Sequence, residues 1–296
     1  MPGFMPRLPA LLALLICASA ALAREPAPLP GAEGRVALGA YVDVLEDPGG
    51  KLRLEDLRRP EAAARFARAG SEPLNFGYTN SAWWLRFALP GGSPAGEELM
   101  LEVAYPSIDR VELHLPEARP GGEPRYWARL AGDSFPWEAR EVRHRTHVFR
   151  FPAPAAAGEH HYYLRVESRG VLTVPLALWR PEAFFDHHRN TQLVLGLFYG
   201  LGLALVLYNL MLYTAIRDRA YLYYLLYASA FGVYLFCFDG LGFQYLWPES
   251  VWAANHLLAL ALALTLTFGL AARRDGGEHA RKHLQVTGHR ESLRTR

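Results

Sequence analysis

Hydrophobic residues follow two different rules along this chain. Between Val36 and Trp179 they recur at every second position in short runs. Trp83, Leu85, Phe87 and Leu89 alternate with Trp84, Arg86 and Ala88. Leu99, Leu101, Val103 and Tyr105 repeat the period, as do Val111, Leu113 and Leu115, then Tyr162, Leu164 and Val166, then Leu172, Val174, Leu176 and Leu178. A period of two puts one set of side chains on a buried face and the other outside, which is the pattern of half-buried strands. Pro90–Pro94, Pro120–Gly122 and Pro152–Gly158 separate the runs as loops. One stretch, Leu54–Ala69, has helical spacing, with Pro60 breaking its start. Roughly 150 residues holding six to eight strands predict an all-β, jelly-roll-like sandwich over residues 24–186.

After that block the alternation ends and continuous apolar runs begin. Leu193–Tyr213, Tyr221–Phe238 and Val251–Ala272 contain 21, 18 and 22 residues without a charged side chain. A hydrocarbon core about 30 Å thick needs roughly 20 such residues in a helix, so the region 191–272 is expected to span a bilayer three times, at about 191–213, 221–238 and 251–272. At the other end, Arg7, the apolar run Leu8–Ala18 and Ala21-Leu22-Ala23 have the three parts of a cleavable secretory signal over residues 1–23.

Charge gives these spans a direction. With 24–186 exported, the first span runs inward, and the turn carrying Arg217 and Arg219 is cytoplasmic. The loop Asp239–Ser250 has no Lys or Arg and lies outside, and Arg273-Arg274 end the third span inside. The expected arrangement is a membrane protein with its N-terminal domain outside and its C-terminal tail in the cytosol. Residues 24–189 carry 21 basic and 23 acidic groups, so the folded domain lacks the positive surface of a nucleic-acid binder. The 2 cysteines are Cys17, inside the leader, and Cys237, inside a span. The mature chain therefore has no disulfide and no cysteine-based zinc site.

Candidate chemistry is sparse. The densest aromatic and polar segment is Tyr78–Phe87. Its Trp84 offers a flat face and its Arg86 planar donors on the same side of a strand, a pair suited to a sugar or carboxylate ligand. The basic run holding Arg143 and His144 can add bidentate or imidazole contacts, so Trp84, Arg86, Arg143 and His144 are the expected ligand-binding set. The adjacent pairs His160-His161 and His187-His188 have no nearby carboxylate at the spacing a metal site needs, and no metal site is expected from them. No nucleophile elbow or phosphate loop is present, and the chain reads as a non-enzyme. In the first span Gly196 and Gly200 form a GxxxG face expected to pack on another helix.

Together these residues resemble the bacterial seven-transmembrane receptors with diverse intracellular signalling modules. The resemblance rests on Tyr78–Phe87, the turn Tyr105-Pro106-Ser107-Ile108-Asp109, the strand Tyr162–Val166 leading to Leu176–Trp179, the turn Arg217–Tyr224 and the segment Gly240–Pro248. It implies a periplasmic jelly-roll domain binding a small solute, carbohydrate among the candidates, above a membrane bundle that drives a cytoplasmic output module. The pattern departs from the family after three spans, and 273–296, basic and without helical or strand periodicity, reads as a truncated or out-of-frame end. The implied partners are a small solute, the bilayer and a second copy through the membrane helices, with no cofactor. Two other readings compete: a membrane-tethered carbohydrate-active enzyme, which would need two carboxylates flanking a cleft, and an accessory component of a membrane assembly.

Overall fold

The computed structural model describes residues 25–70, 72–117 and 122–294, and of 220 and 275–294 only the backbone. Residues 1–23, the expected secretory signal, lie outside the described residues. The strands are β1 (Arg35–Ala37), β2 (Asp43–Asp47), β3 (Ala67–Arg68), β4 (Leu74–Tyr78), β5 (Ala82–Pro90), β6 (Glu98–Val103), β7 (Arg110–Glu117), β8 (Arg125–Ala131), β9 (His147–Pro152), β10 (Glu159–Glu167), β11 (Val171–Val174) and β12 (Leu176–Trp179). They form a four-stranded sheet, β1-β12-β6-β9, a six-stranded sheet, β3-β2-β5-β10-β7-β8, and a two-stranded ribbon, β11-β4. Every pairing is antiparallel.

The alternation read from the sequence becomes the inside of a sandwich. Leu85, Phe87 and Leu89 of β5, Val111, Leu113 and Leu115 of β7, and Leu164 and Val166 of β10 meet Leu99, Leu101 and Val103 of β6 in one buried cluster. Phe87 and Tyr162 stack across it at 5.2 Å. Each fully buried side chain of this size contributes about 1.5–3 kcal/mol, so the contact between the sheets dominates the domain's stability.

Two expected elements come out differently, and proline explains both. Leu54–Ala69 is not one helix: single turns at Leu54–Leu57 and Pro60–Ala63 are followed by β3, whose Ala67 pairs with Val44. Proline tolerates the first turn of a helix but cannot sit inside one, so Pro60 starts a second turn instead of extending the first. The run Leu172–Leu178 divides at Pro175, which has no N–H to give a ladder. Its first half pairs with β4 and its second enters the four-stranded sheet between β1 and β6.

Three long helices follow. The first, Pro181–Ile216, begins one residue after β12, some ten residues earlier than the apolar run alone suggests. Pro181 fixes its start. It ends where Arg217 turns left-handed at φ 57° and donates its N–H to the Tyr213 carbonyl at 2.7 Å. The second, Arg219–Phe238, packs mainly on the third, Val251–Arg294. The third continues as helix through the basic tail, where periodicity predicted none. That segment has no proline, and its six Arg, two Glu and two Leu residues are good helix formers, so an established helix propagates through Gly276-Gly277 at about 1 kcal/mol per glycine. Stretches Pro181–Ile216, Tyr221–Phe238 and Val251–Arg274 are long and apolar enough to cross a membrane.

The connection between the second and third helices, residues 239–250, lies against the sandwich. Trp137 donates its N–H to the Pro248 carbonyl at 3.2 Å, and Arg145 donates to the Asp239 carbonyl at 3.2 Å. This loop and the sandwich therefore share one side of the membrane, and the 217–218 turn is on the other. Asp218→Cys, introduced with Cys17→Ser and Cys237→Ser, should resist an impermeant thiol reagent in intact cells and react after permeabilisation. Ready labelling from outside would invert the assignment.

Candidate functional site

Three places on the sandwich carry polar chemistry. The first is the outer face of the six-stranded sheet, where β5 turns Trp84 and Arg86 away from the core. This face is covered rather than open. Leu54 and Leu57 from the helical turns, Phe66 and Leu45 close over Trp84, leaving it 1% exposed. The outward indole expected from alternation is thus a second, smaller core. Trp84 stacks on His114 at 5.4 Å, and the Arg165 guanidinium lies 5.8 Å from its ring centre.

Beside this cap a cavity of about 670 Å³ opens between the 50–55 loop and the sheet. Lys51 and Glu55 stand on its loop side, and Trp84, Glu112, His114 and Arg165 on its sheet side. Arg165 is held by the Gly50 carbonyl at 3.0 Å, by Glu167 and, at 4.0 Å, by Glu112. Glu112 also meets His114 at 3.4 Å. Burial pulls His114 below the usual imidazole range despite that carboxylate, so it faces the cavity as a neutral ring. Arg86, Arg143 and His144 do not line this space.

Arg86 is occupied otherwise. It bonds Asp43 at 3.1 Å and lies flat over the Phe66 ring at 4.4 Å. Arg143 is exposed, and His144 is buried on the far side of the sandwich. The four residues singled out in the sequence therefore do not come together. Strand alternation located Trp84 and Arg86 on one face correctly, but nothing local showed that a short helical cap would cover it.

The second place is the outer face of the four-stranded sheet, where the first long helix begins. Phe184 is fully buried against Met100, Val148, Ala177 and Trp179. One turn later His188 reaches Glu102 of β6 at 3.2 Å. Glu102 also accepts bonds from Thr146 Oγ1 and Trp179 Nε1, each 2.9 Å. His144 Nδ1 sits 2.7 Å from Thr146 Oγ1, and its ring centre is 4.2 Å from that of His188. Burial raises the Glu102 pKa, but His188, Thr146 and His144 together bring it below the usual carboxylate range. Burial and the neighbouring His188 push His144 down to about 3. Local sequence offers the His187-His188 pair no carboxylate spaced as a metal site needs; folding brings Glu102 of β6 beside His188.

The third place is the seat of the 239–250 loop. Arg140, buried, donates to the carbonyls of His144, Arg145 and Thr146 at 2.8, 3.2 and 3.2 Å and stacks on Trp137 at 4.7 Å and Phe243 at 5.4 Å. Gly240 turns at φ 77° under Pro106, where a Cβ would lie 2.8 Å from the proline ring, so the approach requires glycine. Asn255 of the third helix donates to the Asp133 carbonyl at 3.4 Å. Burial and Asp109 push the Asp133 carboxyl up to about 7 against the pull of Arg140. In the first span, nothing lies within 4 Å of where a Cβ on Gly196 or Gly200 would point, so among the described residues no helix of this chain packs on that face.

Two measurements test these assignments. Arg86→Ala should cost about 1–3 kcal/mol of thermal stability by removing a half-buried charged bond, whereas Arg143→Ala should stay within about 0.5 kcal/mol. Asp133 is raised in the folded chain, so its proton favours the fold below about pH 7, and that contribution is lost as pH rises from about 4 through 7. Asp133→Asn should therefore be more stable than wild type at pH 8, by on the order of 2–4 kcal/mol, and equal to it near pH 4. An advantage independent of pH would show that Asp133 is not protonated in the fold.

No curated protein matches the chain. A solved structure of TmCBM61 in complex with beta-1,4-galactotriose is 12% identical over 49% of this chain and 86% of its own, with a TM-score of 0.24. Another, of carbohydrate-binding modules from the beta-sandwich super family, is 9% identical over 51% of this chain and 57% of its own, with a TM-score of 0.22. Neither likeness bears on the site. The family 7TMR-DISM extracellular 2 matches residues 39–180, the sandwich, and the family 7TM diverse intracellular signalling matches residues 191–273, the three spans. The first match ends where β12 passes into the first helix, the second begins within that helix, and the chain belongs to the 7TMR-DISM receptors.

Proposed function

We propose that this receptor binds a small polar solute, sugar-like or carboxylate-bearing, in the cavity beside Trp84 on the periplasmic side of a bacterial inner membrane. The observation that carries the reading is the lining of that cavity. It combines a neutral imidazole, two guanidiniums and two carboxylates beneath a short loop, a set that can pair with hydroxyl or carboxylate groups. Glu112, the inner carboxylate, is already engaged by Arg110 at 3.3 Å as well as by His114 and Arg165, which makes it a positioning and recognition group. The matched domains are of sensor type.

Signal output follows from mechanics. A solute shifts the helices only by binding two arrangements of the receptor unequally. The sandwich is joined to the first helix by the β12 junction and to the second and third by the 239–250 loop between them, so a change in the sheet reaches all three spans.

The test is a thermal-shift screen of the full chain in lipid nanodiscs against beta-1,4-galactotriose, other oligosaccharides, amino acids and dicarboxylates. A ligand at 100 times its Kd should add about 2.7 kcal/mol. Lys51→Ala and Glu55→Gln, both at exposed rim positions, should abolish that shift while leaving the ligand-free melting temperature unchanged. A shift that persists in both variants would move the site away from this cavity.

A further inference from the structure

The seam between the sandwich and the first helix holds an arrangement that packing alone does not account for. One ring nitrogen each from His144 and His188 and one oxygen of Glu102 lie within 4.8 Å of one another, and all three residues are buried. His188 is 7% exposed, His144 5% and Glu102 3%. Nε2 of His144 and both ring nitrogens of His188 make no hydrogen bond among the described residues. The contact from His188 Nε2 to Glu102 Oε1, 3.2 Å, is at ion-pair distance without hydrogen-bond alignment. Leaving buried polar nitrogens unsatisfied costs about 1–3 kcal/mol each, so a cluster with three of them asks for a partner.

We propose that Glu102, His144 and His188 form a binding site for a divalent transition-metal ion that ties the sensor domain to the first membrane helix. The ligand set selects the class of ion. Two imidazoles and one carboxylate suit Zn²⁺, Co²⁺, Ni²⁺ or Cu²⁺, whereas Mg²⁺ and Ca²⁺ take oxygen ligands. The spacing agrees. Ligand atoms about 2.0–2.1 Å from a tetrahedral Zn²⁺ stand about 3.3 Å apart, close to the 3.2 Å between His188 Nε2 and Glu102 Oε1.

The surroundings orient the ligands. Trp179 Nε1 and Thr146 Oγ1 hold the two oxygens of Glu102, and Thr146 also holds His144 through Nδ1, leaving Nε2 free. Such outer contacts set ring tautomer and ligand direction in metal sites. The three ligands come from β6, from the loop before β9 and from the first helix. An ion here would therefore bridge the sandwich and the helix that leaves it. The proposal does not depend on the solute reading.

The test uses the full chain in nanodiscs, stripped with a chelator and titrated with Co²⁺. Wild type should take up one ion per chain with the intense visible absorption of tetrahedral cobalt, and Zn²⁺ should displace it. Glu102→Gln and His188→Gln should each weaken binding by at least about 100-fold, and Thr146→Val by about 10–100-fold. His187→Gln, exposed and outside the cluster, should bind as wild type. Where a variant fails to fold, X-ray absorption on the Zn²⁺-loaded wild type reads the ligands directly: two imidazole nitrogens with a carboxylate oxygen support the site. Absence of saturable uptake, uptake that survives both Glu102→Gln and His188→Gln, or an oxygen-only or sulfur-containing shell would overturn it.

Discussion

Glu102 is a carboxylate on a strand whose neighbours are almost all apolar, on the side of β6 turned away from the main core. It remains there because three other segments bring it polar partners: Trp179 at the end of β12 and Thr146 before β9 donate hydrogen bonds, and His188 on the first helix stands 3.2 Å away. A buried carboxylate without such partners would cost several kcal/mol, so burying β6 and docking the helix are coupled. Phe184 fills the adjoining apolar gap and fixes the angle at which the helix leaves the sheet. The relation of the receptor's outer domain to its membrane part depends on this small polar knot.

The legible parts of the chain were those governed by a local period. Alternation in β5, β6, β7 and β10 identified which side chains enter the core, because strand geometry forces neighbours to opposite faces whatever they pack against. The three spans were legible for a similar reason, since hydrocarbon thickness sets a length that the sequence must meet. β9 was hidden because its alternation begins inside a run of arginines and histidines, and β8 because its face is mostly exposed.

Places where distant segments meet were not legible. The cap over Trp84 depends on one helical turn, Leu54–Leu57, too short to show a period, and on Phe66 beyond it. The exposed Arg143 and buried His144 are adjacent in sequence yet have opposite fates, decided by Arg140 gathering three carbonyls beneath them. His188 looked like half of an isolated histidine pair because its carboxylate partner lies on β6. The clearest sign in retrospect is Glu102 itself, an acidic residue between Leu101 and Val103 in a strand that is buried on both faces.

The loop between the second and third helices gives the architecture a kinematic property. A body fixed at one point can swivel, but a body fixed at two can only hinge about the line joining them. The sandwich is attached once through Trp179–Pro181 and again through Trp137, Arg145 and Pro106 against residues 239–248. Rotation of the domain about the axis of the first helix is thereby blocked, and the remaining freedom is a rocking motion that lifts one end of the bundle's outer rim while lowering the other. Whatever deforms the sandwich must reach the lipid-embedded helices as a relative tilt, not a twist.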